Sequence, residues 1–373
     1  MRYFSLVFST VCFLVANYGF SQDIFTRAEN GEKLDENEIV KLADSIHKKY
    51  ITLDSHNDSA MWFNNPKGDY GVQKGQVSFP LMKQGGLDGA FFAIYMEQGK
   101  LDQHSLDSTF NICVREISKF KEYVKKRKNE AEFARNAADV ALIKAKGKRA
   151  IILTIENGYP IGKKLDNIDF FYNRGVRLIT LSHNGNNCIC DASMSKIGEF
   201  YGGLSDFGYK VVERMNNLGI IVDVSHASSS TLEDVLGCSK APLVASHSGV
   251  WSIKNHKRNL KDSEIKAIAA KGGVIQVATG RFFLSDLPKA QVNVGSLCDH
   301  IEHVIKLVGI EHVGLGTDFD GGGGVVGLEN VSKMKEITKE LLRRGYKPSE
   351  IALFWGENIL RVWREVEAVA KVK

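Results

Sequence analysis

From about residue 35 the chain alternates short apolar, β-branched runs with longer segments whose apolar positions recur every three or four residues. Eight of the short runs read as strands: 50–53, 89–95, 150–155, 176–181, 220–224, 243–245, 273–278 and 312–316. The segments between them, among them 108–128, 207–219, 228–237, 261–272 and 296–309, have helical spacing, and several open on Ser or Asp and close on Gly. Strand, crossover helix and strand, repeated eight times, predict a (β/α)8 TIM barrel in the α/β class. Extra N- and C-terminal helices near 35–49 and 348–370 would pack outside it. No long linker or low-complexity segment divides the chain, so residues 23–373 read as a single domain. An open doubly wound sheet would want a phosphate-binding glycine turn after its first strand, and LDSHND is no such turn. GGGG at 321–324 lacks the Lys-Ser/Thr of a phosphate loop.

The polar residues at the strand ends carry the chemistry. The first strand runs into His56 and Asp58, the third ends in Glu156, the fourth in His183, the fifth in His226, the sixth in His247 and the eighth in Asp318. Barrel active sites gather at the C-terminal ends of the strands, so these seven would meet at one mouth. Alternate residues of a strand point the same way, which aims His56 and Asp58 at one point. Imidazole with carboxylate suits a divalent metal, and zinc in particular. A single strand-end histidine is more often structural; the coincidence of seven is what argues for a metal centre. The six remaining histidines, His47, His104, His256, His300, His303 and His312, lack that register and read as structural.

Composition narrows the setting. With 43% hydrophobic and 25% charged residues in 373, the proportions are those of a globular protein. The net charge of +5 is weak for this length, and the basic stretches at 121–128 and 144–149 hold one aromatic, Tyr123, so they read as solvated helix faces and no nucleic-acid partner is expected. Residues 1–22 carry Arg2, an apolar run and then Gly19 and Ser21, the pattern of a secretory signal peptide. No second long apolar stretch appears and the C-terminus is the charged VAKVK, so no stable membrane anchor is expected. The mature protein is expected to be exported, periplasmic or secreted. Without Cys12 the cysteines are Cys113, Cys188, Cys190, Cys238 and Cys298, an odd set that reads as idle thiols rather than a disulfide scaffold.

The segments LDSHND, GYKVVERMNNLGIIVDVSHAS, APLVASHS, KRNLKDSEI and HVGLGTDFDG, with LLRRGYKPSEIALFWGENILRVW near the end, resemble the renal (membrane) dipeptidase family of zinc metallopeptidases. The resemblance runs from about residue 40 to about 366. It implies a hydrolase with two Zn2+ per chain, cleaving the peptide bond of dipeptides by a metal-bridging hydroxide, and a homodimer. Carried over, His56 and Asp58 would hold one zinc, His226 and His247 the other, and Glu156 would bridge both. His183 would contact the scissile group, Arg258 would pair with the substrate carboxylate, and Asp318 would be the acid–base residue. For Arg258 the plainer alternative is a surface ion pair with Asp262. Asp320 reads as a loop acid with no assigned role. Two departures stand out: Asn157 follows Glu156 where the family often has Gly, and ATGRFFLSD at 278–286 matches no familiar substrate loop. Side-chain preference and tolerance of a D-residue at the second position are thereby left open. The rivals are another metal-dependent barrel amidohydrolase (a cyclic amide hydrolase or deaminase) and an inactive binding relative. His-x-Asp in place of His-x-His disfavours the first, and a complete set of expected residues disfavours the second.

Overall fold

In the computed structural model, which describes residues 23–63 and 75–371, nine strands form one sheet. They are β1 (Leu53–Asn57), β2 (Gly89–Tyr95), β3 (Ala131–Phe133), β4 (Arg149–Glu156), β5 (Val176–Thr180), β6 (Ile221–Asp223), β7 (Val244–Ser248), β8 (Val274–Val277) and β9 (Val313–Leu315). All pair in parallel in the order β1-β2-β4-β5-β6-β7-β8-β9, with β3 paired to β4 off that path. The two ends meet just beyond β9. Asn57 bridges Phe319 in parallel, Asp58 N–H donates to Phe319 O at 2.9 Å, and Asp318 N–H donates to His56 O at 3.0 Å. The eight-stranded path is thus a nearly closed barrel of the expected (β/α)8 type. The expected signal segment, residues 1–22, lies outside the described residues. Among the described residues no helix is long and apolar enough to cross a membrane.

Parallel strands are buried on both faces, so they read as continuous apolar runs. GAFFAIY of β2 and RAIILTIE of β4 show this, with only the end residues Tyr95 and Arg149 less than buried. The crossover helices carry the expected caps: Asp102, Ser205 and Ser228 each accept a first-turn N–H. Helix Glu36–Lys49 opens on a capping box between Asp35 and Glu38. One or more residues from each of seven strands, Phe91 and Ile152 among them, cluster with Ile359, Trp363 and Val366 of helix Asn358–Val369. Most of these strand residues lie at strand starts, so the C-terminal helix packs under the N-terminal end of the barrel.

The largest departures from the expected strands are two extended strand ends and one additional strand. β1 continues through Asp54, Ser55, His56 and Asn57, and β7 through Ser246, His247 and Ser248. Apolar periodicity could not see either extension, because these strand ends are polar yet wholly buried. The three-residue β3 carries too short a pattern to register. The basic stretch 144–149 is also not wholly solvated. Lys144 Nζ donates to Asp88 Oδ2 at 2.6 Å, and Arg149 lies 3.6 Å from the same carboxylate, at the floor of the barrel. All five cysteines in the described residues are free, and all but Cys238 are buried.

Candidate active site

Every strand-end residue singled out from the sequence reaches the same mouth. His56 lies within β1 rather than beyond it, and His247 within β7. Glu156 closes β4, and His183, His226 and Asp318 follow β5, β6 and β9. His56 Nε2 stands 3.6 Å from Asp58 Oδ2, 3.8 Å from Glu156 Oε2 and 4.0 Å from Asp318 Oδ1. On its other side, Glu156 Oε1 stands 3.1 Å from His226 Nε2, 3.4 Å from His247 Nε2 and 3.9 Å from His183 Nε2. Each carboxylate oxygen therefore faces a different set of imidazoles, the arrangement a bridging ligand needs. The grouping is broader than expected from the sequence. His183 joins Glu156 and His226 in one ligand-capable set, and His247, stacked 3.7 Å from His56, joins a second set with His56 and Glu156. Asp318 joins a third with His56 and Asp58.

Hydrogen bonding fixes the tautomers. Ser246 Oγ donates its one proton to Asp223 Oδ2 at 2.6 Å. It must therefore accept from His247 Nδ1, 2.8 Å away, which leaves the His247 Nε2 lone pair facing the mouth. Likewise His226 Nδ1 donates to Asn184 Oδ1 at 3.1 Å. The two Nε2 lone pairs then oppose one another at 2.9 Å. Such an approach is repulsive unless a cation lies between them. Ligand atoms at about 2.0–2.1 Å from a tetrahedral zinc sit roughly 3.3 Å apart, close to these spacings. Both ring nitrogens of His56 and Asp58 Oδ1 are buried without a hydrogen-bond partner. A Cβ on Gly321 would come within 2.0 Å of Asp58 Oδ2 and 2.5 Å of Asp318 Oδ1, so only glycine leaves this cradle open. The residues fit divalent metal.

The electrostatics say the same. Burial, and next Asp58, raise Glu156 well above the usual carboxylate range; the same two causes take Asp318 to about 7. Burial opposes protonation of His56, but Glu156, Asp58 and Asp318 outweigh it and carry it to about 10. Burial, and secondarily Arg258, hold His183 down to about 4 and His226 well below its ordinary value. His247 is also held well below its ordinary value, by burial and then His56. Crowded carboxylates in a dry site repel until cations neutralise them. The backbone is strained here too. Among the described residues, the non-glycine residues with positive φ, Asn157 at 75°, His226 at 68°, Asp318 at 59° and Asp320 at 65°, all lie at this end. Each costs on the order of 1–3 kcal/mol, and such strain collects at functional sites. Asn157 thus occupies a glycine-like conformation that Asn tolerates.

The cavity above the cluster has a volume of about 540 Å³ and is lined by Asp58, Glu156, His183, His226, Arg258 and Asp318 together with a largely apolar rim. Arg258 is buried, and among the described residues its guanidinium makes one hydrogen bond, from Nη2 to His247 O at 3.0 Å. Its Nε is unpartnered. Asp262, the alternative partner, is taken by Ser252 and His303. Asp320 does not reach into the cluster. It accepts from Ser59 Oγ and Gln76 N, tying the β9 loop to residues after β1. Sequence reasoning passed over Tyr95, Met61, Trp62, Asn184, Phe282 and Phe283, and it set aside His256, which lines the cavity after all. Apart from Asn184, one residue from His183, those passed over are residue types with no conspicuous chemistry, on the end of β2 or on the short helices after β1 and β8, and only their place near strand ends could have flagged them. His47 and His300 are structural as expected, each held at both ring nitrogens.

Comparison with known proteins gives a consistent answer. The sequence model of the membrane dipeptidases (peptidase family M19) matches residues 40–373. An uncharacterized dipeptidase of Schizosaccharomyces pombe is 35% identical over 298 residues, covering 78% of this chain and 72% of that protein. The dipeptidase tcpJ of Claviceps purpurea is 31% identical over 333 residues, covering 85% and 77%. The crystal structure of the probable dipeptidase PvdM from Pseudomonas aeruginosa superposes with a TM-score of 0.85 at 30% identity, covering 90% of this chain and all (100%) of that one.

Proposed function

Since the chain belongs to the membrane dipeptidase family (peptidase family M19) and is a metallo-dipeptidase by that membership, we propose that it cleaves dipeptides at the barrel mouth with two zinc ions. His56 and Asp58 would hold one ion and His226 and His247 the other, with one oxygen of Glu156 on each. The bound ions would supply Lewis acidity and a hydrolytic water at neutral pH. The protein's own groups do the rest. His183, kept neutral by burial, presents an N–H to the carbonyl oxygen as negative charge develops there. Asp318, whose carboxyl is raised toward neutrality by burial and Asp58, takes a proton and returns it to the amide nitrogen, which leaves poorly as an anion.

Arg258 is the observation that carries the reading. A buried guanidinium with one carbonyl bond and, among the described residues, no carboxylate at ion-pair distance, beside a metal-type cluster, calls for an anion from the ligand. A peptide's terminal carboxylate supplies it, and the fork geometry of Arg suits it. A longer peptide would place neutral backbone there and leave the charge unpaired, which restricts cleavage to dipeptides. The test is amine release by the zinc-loaded chain from dipeptides, including D-configured second residues, with tripeptides as controls. Cleavage of dipeptides alone, abolished by a chelator, with two zinc ions per chain by elemental analysis, is expected. Arg258→Ala should raise KM for dipeptides while leaving metal content unchanged. Equal cleavage of tripeptides, or an unaltered KM, would overturn the clamp.

A further inference from the structure

The turn after β8 is an aromatic feature of the mouth that the metal cluster does not explain. Helical turn Arg281–Leu284 puts Phe282 and Phe283 on the cavity rim. Phe282 is 71% exposed. Phe283 is held from three sides. Its ring packs on Gly280 through Cδ2 and Cε2, where a Cβ would come within 2.8 Å of it. Its centre stands 5.0 Å from the His256 ring and 5.5 Å from the Arg258 guanidinium carbon. The backbone beneath is anchored as well. Asn259 Nδ2 donates to Phe283 O at 2.7 Å, and the buried His300 ring donates to Leu284 O at 2.9 Å. Lys254 pairs with Asp286 just beyond. Arg281 turns away and lines a separate cavity. Apart from Arg258, the wall therefore presents ring carbon.

We propose, resting on the dipeptidase reading above, that Phe282 and Phe283 form the wall that receives the side chain of the substrate's C-terminal residue, so that the enzyme selects dipeptides ending in a bulky apolar residue. A carboxylate forked onto Arg258 places its Cα about 5–6 Å from the guanidinium carbon. The Phe283 ring centre lies at a similar distance from the same carbon, so a side chain that turns from that Cα toward the β8 turn reaches the wall. Met61 and Trp62 follow Asp58 and line the cavity on β1's side of the mouth, which leaves them to the N-terminal residue. An acidic or amide side chain at the C-terminal position would exchange water for ring carbon and gain no partner.

The experiment measures kcat/KM of the zinc-loaded enzyme on Ala-Gly, Ala-Leu, Ala-Phe and Ala-Asp, with Leu-Ala and Phe-Ala as the reversed pairs. Wild type should favour Ala-Phe and Ala-Leu over Ala-Gly by about tenfold or more, the usual worth of a filled apolar pocket. In Phe282→Ala/Phe283→Ala that Ala-Phe to Ala-Gly ratio should collapse toward one, with the Phe-Ala rate altered less. Phe282→Ala alone removes only an exposed ring, so it folds, and it should lower the same ratio part of the way. Equal wild-type rates on all six, or a loss that falls on the reversed pairs, overturns the proposal and leaves the dipeptidase reading intact. A wild type that cleaves none of the six overturns the dipeptidase reading, and the proposal with it.

Discussion

The two ends of the barrel treat buried charge in opposite ways. At the floor, Asp88 accepts from Lys144, Thr52 N and Thr52 Oγ1 and lies near Arg149. His47 is bonded at both nitrogens, to Gly86 O and Thr338 Oγ1. At the mouth, among the described residues, the His56 ring has no hydrogen-bond partner, the Arg258 guanidinium has no carboxylate at ion-pair distance, three acids crowd together, and four residues hold left-handed backbone. Both ends are dry, so the contrast is not one of solvent. The floor is satisfied within the chain and serves stability, whereas the mouth is left unsatisfied and waits for ligands from outside. Substitutions should separate the two ends.

The largest effect is expected at the mouth. Asp318→Asn should lower kcat by about 10²–10⁴, the range for a lost acid–base group. It also removes one of the crowded charges, so the metal-free variant should melt at or above the wild-type temperature. A clear fall in that midpoint would show that the mouth carries stability too, and the contrast would fail. The floor should give the converse. Asp88→Ala leaves Lys144 and Arg149 without their carboxylate and should cost about 3 kcal/mol by urea unfolding, the lower end for a broken buried pair because Lys144 is partly exposed. Zinc content and KM should not move.

A smaller effect sharpens the floor's side. Burial holds His47 down to about 4 against its Gly86 bond, while the unfolded residue titrates near 6.5. Between those values the unfolded chain binds the extra proton, so this contribution is complete above about pH 6.5 and is lost as pH falls toward 4. In the metal-free chain, His47→Gln should flatten the fall in stability over that window by up to about 3 kcal/mol. A variant curve parallel to wild type would remove His47 as the cause.

The same contrast explains what could be read from the sequence. The barrel followed from apolar runs such as GAFFAIY and AIILTI because parallel strands bury both faces. The seven mouth residues followed because metal-binding side chains are chemically conspicuous and fall in strand-end register. Strand ends such as DSHN and SHS were missed as strand because their burial rests on hydrogen bonds within the chain and on the histidines' site chemistry rather than on hydrophobicity. The Asp223–Ser246–His247 chain was invisible for a different reason. A serine and an aspartate 23 residues apart become partners only once β6 and β7 lie side by side. Phe282 and Phe283 look like core until the turn that carries them is placed on the rim.

Asn157 belongs to neither end cleanly, and it sets the smallest and most discriminating test. It sits at the mouth directly after Glu156 and holds φ at 75°, yet it is fully bonded. Its Nδ2 donates to Met96 O and Gln98 Oε1, and its Oδ1 accepts from Tyr159 N and Asn187 Nδ2. Ala at this position loses those bonds and keeps the left-handed strain; Gly loses the bonds and relieves it. Asn157→Ala should therefore be less stable than Asn157→Gly by about 1 kcal/mol. The metal affinity of Asn157→Gly then decides the assignment. If the bonds serve only the fold, zinc affinity matches wild type. If they orient Glu156, affinity falls by about tenfold, as when the partner that orients a metal ligand is lost. The second outcome is expected, because the bonds join the ends of β2 and β4 to the loop after β5, and Glu156 sits where these three meet.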